Sequence, residues 1–401
     1  MNFAQISSNK LPAKLKCPTS KSYANRALIL GALKKNEIVL LDIPQAQDVK
    51  DLLEMLNEVG LEIDFTDGRI TLNNSFPACE VIQDKAIVLK GSEGGTTIRF
   101  LMILLSLGKN EYHLPLLGEL AKRPFKQFLC LLESMGVVIS IDANLLKLKG
   151  PLRPLDNIVI DCSKTTQVAS AFMLVANEFD FTVQLENVSS SKRYLDLTSA
   201  VLEHFQTSSE FRVPVDFSSL GYILSYAALN QNICVTNVTS IDNNQADSAL
   251  IELLQSIGIK ITIDEKGLLL TFGDTRFSGF EIDGSTCIDL VPTLVYLASF
   301  AKTPSLIKNI KTLKYKESNR LNEILDFLSY LQIKSDYREL EDQLKIYPFQ
   351  NTKNKNLCVR VAPDHRIVMM ASLFIKQMGG GSVYPSESVC KSFPHFFELF
   401  T

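Results

Sequence analysis

Residues 52–65 read Leu52-Leu53-Glu54-Met55-Leu56-Asn57-Glu58-Val59-Gly60-Leu61-Glu62-Ile63-Asp64-Phe65, an apolar helix-like stretch stopped at a glycine and followed by alternation. Glycine just past a helix takes the left-handed conformation that ends it, and apolar residues at every second place mark a half-buried strand. The same grammar returns in Leu131-Leu132-Glu133-Ser134-Met135-Gly136-Val137-Val138-Ile139-Ser140-Ile141. It returns again in Leu253-Leu254-Gln255-Ser256-Ile257-Gly258-Ile259-Lys260-Ile261-Thr262-Ile263, with fainter copies ending at Gln206, Gln332 and Gly379. Recurrence at intervals of roughly 50 to 75 residues predicts an α/β chain of about six related helix-to-strand units. Such joints are common in α/β proteins, so true internal repetition and a series of ordinary joints both fit. Low-complexity linkers are absent, and Ser208 to Asp216, which carries Pro214, is the best mid-chain boundary.

A length of 401 residues predicts two or three domains with ample core. Hydrophobic residues make up 46% and charged residues 21%, with a formal net charge of −3, which favours neither disorder nor bulk nucleic-acid binding. Any cationic site must therefore be local. The cysteines Cys17, Cys79, Cys130, Cys162, Cys234, Cys287, Cys358 and Cys390 form no C-x-x-C pair and read as reduced, mostly buried thiols. The histidines His113, His204, His365 and His395 are too dispersed for an evident metal site. The first ten residues lack the apolar core of a secretory signal, and runs such as Phe100 to Leu107 and Leu294 to Ala301 are too short to span a bilayer. A cytoplasmic protein is expected, without membrane association.

Several polar turns open apolar stretches. Pro18-Thr19-Ser20-Lys21-Ser22-Tyr23-Ala24-Asn25-Arg26 leads into Ala27-Leu28-Ile29-Leu30, and the spacing puts Ser22 and Arg26 on one helix face. Free N–H groups and the positive end of the dipole make a helix start an anion site. An ordinary Ser-capped helix with a solvated Lys and Arg fits the same residues. Lys316 and Arg320 stand one turn apart around Glu317, and Asp364-His365-Arg366 precedes the apolar Ile367-Val368-Met369-Met370. Lys391-Ser392 repeats the pairing of a Lys with a hydroxyl. Gly94-Gly95-Thr96-Thr97-Ile98-Arg99 and Ser163-Lys164-Thr165-Thr166-Gln167 offer glycine close approach, hydroxyls and backbone to oxyanions, and Arg123 precedes a helix-starting Pro124. So many cationic or hydroxyl-rich turns imply a small, multiply anionic ligand.

Taken in order, these segments resemble the 5-enolpyruvylshikimate-3-phosphate synthases along nearly the whole chain. Pro18 to Arg26 is similar to that family's first substrate loop, Gly94 to Arg99 to its glycine loop and Arg123-Pro124 to its Arg-Pro turn. Thr165-Thr166-Gln167 resembles Ser-Ser-Gln, Ser191-Lys192-Arg193-Tyr194 resembles Ser-Lys-Pro-Tyr, and Asp216-Phe217-Ser218-Ser219 resembles Asp-x-Ser-Ser. Ile288-Asp289-Leu290-Val291-Pro292-Thr293, Lys316 to Arg320, Asp364 to Arg366 and Lys391-Ser392-Phe393-Pro394 complete the series.

The resemblance implies two similar domains, each of three βαβαββ units, closing on substrates in the cleft between them. Residues 1–18 with 215–401 would form one domain and 19–214 the other. It implies a monomer that moves the enolpyruvyl group of phosphoenolpyruvate to the 5-hydroxyl of shikimate 3-phosphate, with no metal or organic cofactor. By resemblance, Lys21, Ser22, Arg26, Thr165, Thr166, Gln167, Ser191, Tyr194, Asp289 and Lys316 surround shikimate 3-phosphate. Lys21, Gly95, Arg123, Gln167, Arg320, Arg366 and Lys391 hold phosphoenolpyruvate. Asp289 is the expected base, and Glu317, helped by Lys21, the expected acid.

Four departures stand out. Glu93 replaces a common Asn and should repel an anionic ligand unless a cation pairs with it. Thr165 and Thr166 replace serines, Asn319 replaces Asp, and the turn from Gly118 to Arg123 is short. UDP-N-acetylglucosamine enolpyruvyl transferase is a rival family, but it carries a Cys-bearing loop that Leu114 to Pro124 lacks. A non-catalytic anion-binding homologue is the other alternative, and the joint presence of Lys21, Asp289, Glu317, Arg320 and Lys391 argues against it.

Overall fold

In the computed structural model, which describes residues 2–66, 68–179, 181–188, 192–273, 277–349 and 356–401, the glycines of the three clearest joints all lie in the left-handed region. Gly60 (φ +100°), Gly136 (+80°) and Gly258 (+93°) follow the helices Gln47–Glu58, Lys126–Ser134 and Ala249–Ser256. The strands Ile63–Thr66, Val138–Asp142 and Lys260–Asp264 come next. Gln332 (φ +57°) and Gly379 (φ +105°) close two further helices in the same way. The joint expected at Gln206 differs. There the helix runs on to Thr207 and ends in extended Ser208 (φ −138°), so no left-handed residue closes it.

The chain divides into two compact units, Met1–Pro18 with Val215–Thr401, and Thr19–Pro214. Within Thr19–Pro214 the helices are α1 (Lys21–Leu33), α2 (Gln47–Glu58), α3 (Gly95–Leu105), α4 (Lys126–Ser134), α5 (Gln167–Phe179) and α6 (Arg193–Thr207). Helices α1, α3 and α5 pack on one another and are buried on nearly every side, as their almost continuous apolar sequences require. Helices α2, α4 and α6 bury one face each. One sheet runs Glu210–Arg212, Ile38–Leu41, Arg69–Leu72, Ile63–Thr66 and another Ile87–Val88, Glu111–Pro115, Leu145–Lys149, Val138–Asp142. In both, a parallel pair is followed by an antiparallel hairpin. Asn157–Asp161 pairs in parallel with Thr182–Glu186.

The other unit repeats the plan with α7 (Phe217–Asn230), α8 (Ala249–Ser256), α9 (Val291–Phe300), α10 (Arg320–Tyr330), α11 (His365–Gln377) and α12 (Phe396–Phe400). Helices α7, α9 and α11 are the mutually packed inner ones. Its sheets run Lys14–Leu15, Ile233–Val235, Gly267–Thr271, Lys260–Asp264, and Glu281–Asp283, Ser305–Lys308, Gln343–Ile346, Ser335–Arg338, and Ala4–Ile6, Gly381–Tyr384, Leu357–Arg360. No helix of the described residues is long and apolar enough to cross a membrane.

Lys376 on α11 is buried, and its Nζ donates to the carbonyls of Ser7 and Phe400, both at 3.0 Å. Burial lowers its pKa to about 8. The unfolded chain therefore binds more protons than the folded one between that value and the ordinary 10.5, so this term makes stability rise with pH across that window. Thermal melts should show the wild-type Tm gaining on that of Lys376→Met as pH goes from 8 to 10, and a pH-independent difference would refute this.

Candidate active site

The first cluster forms where α1, α3 and α5 begin. Ser20 caps α1, accepting from the Tyr23 N–H at 3.5 Å, so the hydroxyl-rich segment is itself helical from Lys21 onward. Lys21 Nζ reaches Asp48 Oδ2 at 2.9 Å, and Asp48 is buried in the first turn of α2. The Thr97 hydroxyl donates to the Asp48 carbonyl at 3.1 Å and accepts from Asn25 Nδ2 at 3.3 Å.

Arg26 shares a face with Ser22, and Nη1 donates to the Ser22 carbonyl at 2.9 Å, but the guanidinium is not an open arm. Buried to 3% exposure, it also donates to Thr198 Oγ1, Ser170 Oγ and the Tyr194 carbonyl. Burial lowers its pKa to about 10. Arg26 therefore stitches α1 to α5 and α6, which positions half-buried Ser22.

Gln167 opens α5. Its Nε2 donates to Thr96 Oγ1 at 3.1 Å, its Oε1 accepts from Arg99 Nη1 at 2.8 Å, and its N–H donates to Thr165 Oγ1 at 3.2 Å. Thr166 beside it is buried. Arg99 also donates to the carbonyls of Gly95 and Pro124, at 3.1 and 2.9 Å, and lies over the Phe125 ring. Burial, with the Arg123 charge added, holds Arg99 well below its usual pKa. Pro124 does not start a helix: α4 begins at Lys126, and Arg123 follows a short turn of 3-10 helix, Leu120–Lys122. The guanidinium of Arg123 folds onto Gly95, where a Cβ would stand 2.2 Å from Nη1. A Cβ at Gly95 would therefore displace the Arg123 guanidinium. Glu93 lies with its carboxyl against Gly118, and Ser191 lies outside the described residues.

A second cluster forms where α7, α9, α10 and α11 begin. Asp289 Oδ1 accepts from Arg320 Nη1 at 2.8 Å, with Lys316 Nζ at 3.4 Å and Arg366 Nε at 3.5 Å. Arg366 Nη1 donates to the Asp289 carbonyl at 3.2 Å. Arg320 is 2% exposed and grips Asp364 with Nε (2.7 Å) and Nη2 (3.1 Å). Burial alone would lower its pKa, but Asp364, Glu317 and Asp289 raise it.

Glu317 stands 2.6 Å from His365 Nδ1, 3.5 Å from Lys391 Nζ and 3.6 Å from Arg320. Burial pushes its carboxyl up, yet His365, Lys391 and Arg320 outweigh that and hold it well below the usual range. The expected acid is thus ionised in this state. Asn319 caps α10 through the Asn322 N–H at 3.3 Å, a role that Asp or Asn fills equally well.

Glu317, Asp364 and His365 place ligand atoms within 4.8 Å of one another, a group with metal-binding geometry that the dispersed histidines did not announce. Both oxygens of Asp364 accept from Arg320, and Lys391 Nζ stands 3.5 Å from Glu317, so side-chain cations already compensate both carboxylates. Sequence reasoning missed Asp48, Arg99, Asp364 and His365 as members of these clusters. Asp364-His365 sat in a quoted motif and Arg99 ended another, whereas nothing local distinguished Asp48 from a solvated acid on α2.

The family model described as EPSP synthase (3-phosphoshikimate 1-carboxyvinyltransferase) matches residues 6–208 and 204–400. The chain is 28% identical over 406 residues to the 3-phosphoshikimate 1-carboxyvinyltransferase of Pyrococcus abyssi, covering 97% of this chain and 94% of that protein. It is 29% identical over 420 residues to that of Syntrophobacter fumaroxidans, covering 97% and 96%. An EPSP synthase from Acinetobacter baumannii shares the fold with a TM-score of 0.77 at 21% identity, over 100% of this chain and 97% of that one. The enolpyruvyl transferase NikO from Streptomyces tendae shares it with a TM-score of 0.73 at 14% identity, over 99% and 96%. With matched residues spanning both compact units and both clusters of charged helix starts, the chain belongs to the EPSP synthase (3-phosphoshikimate 1-carboxyvinyltransferase) family.

Proposed function

We propose that this protein transfers the enolpyruvyl group of phosphoenolpyruvate to the 5-hydroxyl of shikimate 3-phosphate, releasing phosphate, and that it does so as a cytoplasmic monomer. The observation that carries the reading is the pair of partly buried carboxylates, Asp289 and Glu317, held among Lys316, Arg320, Arg366 and Lys391 at 2.8–3.6 Å. Such an array can clamp phosphate and carboxylate while moving protons. Lys21, Ser22, Arg26, Thr165, Thr166, Gln167, Ser191, Tyr194, Asp289 and Lys316 are assigned to shikimate 3-phosphate. Arg26 serves it by fixing Ser22 and the Tyr194 backbone. Lys21, Gly95, Arg123, Gln167, Arg320, Arg366 and Lys391 are assigned to phosphoenolpyruvate. Arg320 acts from its Nη1 edge, since Asp364 takes the other.

Asp289 accepts the 5-hydroxyl proton as that oxygen attacks C2 of phosphoenolpyruvate, and a proton adds to C3. The tetrahedral intermediate then expels phosphate from C2 while C3 returns a proton, and the hydroxyl proton ends on the departing phosphate, which leaves as hydrogen phosphate. Glu317 becomes the acid only on binding. A trianionic ligand paired with Lys391 and Arg320 withdraws their support from the carboxylate, and burial then drives it to take up a proton. Phosphate release on mixing the protein with both substrates tests the reading, with UDP-N-acetylglucosamine as the control acceptor. Absence of release with shikimate 3-phosphate would sink it.

A further inference from the structure

Beneath the second cluster lies an acid that no sequence motif singled out. Asp247 sits in the turn Ala246–Ser248 before α8, is 3% exposed, and accepts through Oδ2 a hydrogen bond from the Ser218 hydroxyl. The Ser218 oxygen accepts in turn from Arg366 Nη2 at 3.3 Å. Asp247 Oδ1 is buried with no hydrogen-bond partner among the described residues. Burial pushes the carboxyl up to about 7, with Arg366 and Ser218 opposing and Asp289 and Asp216 adding to the rise. Every packed element contributes a group: Arg366 from α11, Asp289 from the segment before α9, and Asp216 as the cap of α7. Glu252 of α8 is solvent-exposed.

We propose that Asp247 is a positioning residue that sets the Arg366 guanidinium through the Ser218 hydroxyl, and so governs how firmly phosphoenolpyruvate is held. Ionised Asp247 can only accept, so the Ser218 hydrogen turns toward it and the Ser218 lone pairs face Arg366. Once protonated, Asp247 donates to Ser218 instead. The serine hydrogen is then driven toward the guanidinium, and Arg366 Nη2 loses its acceptor while Nη1 and Nε keep theirs on Asp289. This rests on the assignment of Arg366 to phosphoenolpyruvate.

Asp247→Asn provides the test, because its amide oxygen always accepts from Ser218. As pH falls from 8 to 6, KM for phosphoenolpyruvate in the wild type should rise about tenfold relative to this variant. The phosphate of the substrate itself titrates there, with a second pKa of about 6, but cancels in the ratio. KM for shikimate 3-phosphate should move alike in both proteins. Ser218→Ala should bind phosphoenolpyruvate about tenfold more weakly at both pH values, and adding Asp247→Asn to it should change nothing.

A wild-type to Asp247→Asn ratio that is constant from pH 6 to 8, or equal shifts for both substrates, overturns the proposal. Calorimetric titration with phosphoenolpyruvate alone separates this from the proposed reaction. If the wild type releases no phosphate yet binds phosphoenolpyruvate with the expected pH-dependent ratio, the reaction falls and the positioning role stands. A constant ratio, or no binding at all, ends the positioning role.

Discussion

Asp289→Ala is expected to lower kcat by about 10²–10⁴-fold, the range ascribed to a positioned general base. The same oxygen that would accept the hydroxyl proton also pairs with Arg320 at 2.8 Å, so the loss has a second part. Without that carboxylate, Lys316, Arg320 and Arg366 face one another with less compensation, and the site's affinity for an anion should rise rather than fall. KM for phosphoenolpyruvate should therefore stay level or drop while kcat collapses. Lys21, Ser22 and Gln167 are untouched, so binding of shikimate 3-phosphate should persist, as calorimetry with that substrate alone would reveal. Turnover within about threefold of wild type, a smaller change than removal of a general base brings, would take Asp289 out of the mechanism.

Arg320→Met should be the most destabilising single change at the site. The side chains of Arg320 and Asp364 are 2% and 0% exposed, so removing the cation strands a buried carboxylate. Breaking such a pair costs about 3–5 kcal/mol. Lysine cannot reproduce the two-pronged grip on Asp364, so Arg320→Lys should recover little. Arg320→Met with Asp364→Asn should lose less than the sum of the two single changes, because no buried charge is then left alone. Denaturant unfolding measures this, and a loss below about 1 kcal/mol for Arg320→Met would show that the pair had been dispensable.

The same network sets the response to acid. Burial pushes Asp364 and Glu317 upward, but Arg320 acts on Asp364, and His365 with Lys391 on Glu317, to bring both below the ordinary carboxylate range. Depressed carboxylates add stability above their unfolded pKa and lose it as pH falls through the folded one.

The joints at Gly60, Gly136 and Gly258 were legible because a left-handed residue is a local requirement that composition reveals. Gln332 was harder, since glutamine takes φ +57° only because the surrounding unit holds it there. The cationic helix starts were legible as places, and less so as roles. Arg26 and Arg320 carry charges that read from sequence as exposed, and their burial depends on partners far along the chain: Ser170 and Thr198 for one, Asp364 for the other. Asp48, Arg99 and Asp247 escaped for the same reason, because a buried charge is recognised by what neutralises it. Pro124 misled because proline before an apolar run suits a loop as well as a first helical turn.

The unit assembled from two separated stretches of sequence has a consequence for biosynthesis. Among the described residues, all strands within Thr19–Pro214 find partners in that same stretch, so it can fold while the ribosome is still at work. Ala4–Ile6, made earlier than its partner, must wait for Gly381–Tyr384, and Lys14–Leu15 for Ile233–Val235. Ala4–Ile6 thus stays without its partner until Gly381–Tyr384 emerges, and a nascent chain released before then would hold one finished half and a strand still waiting to pair.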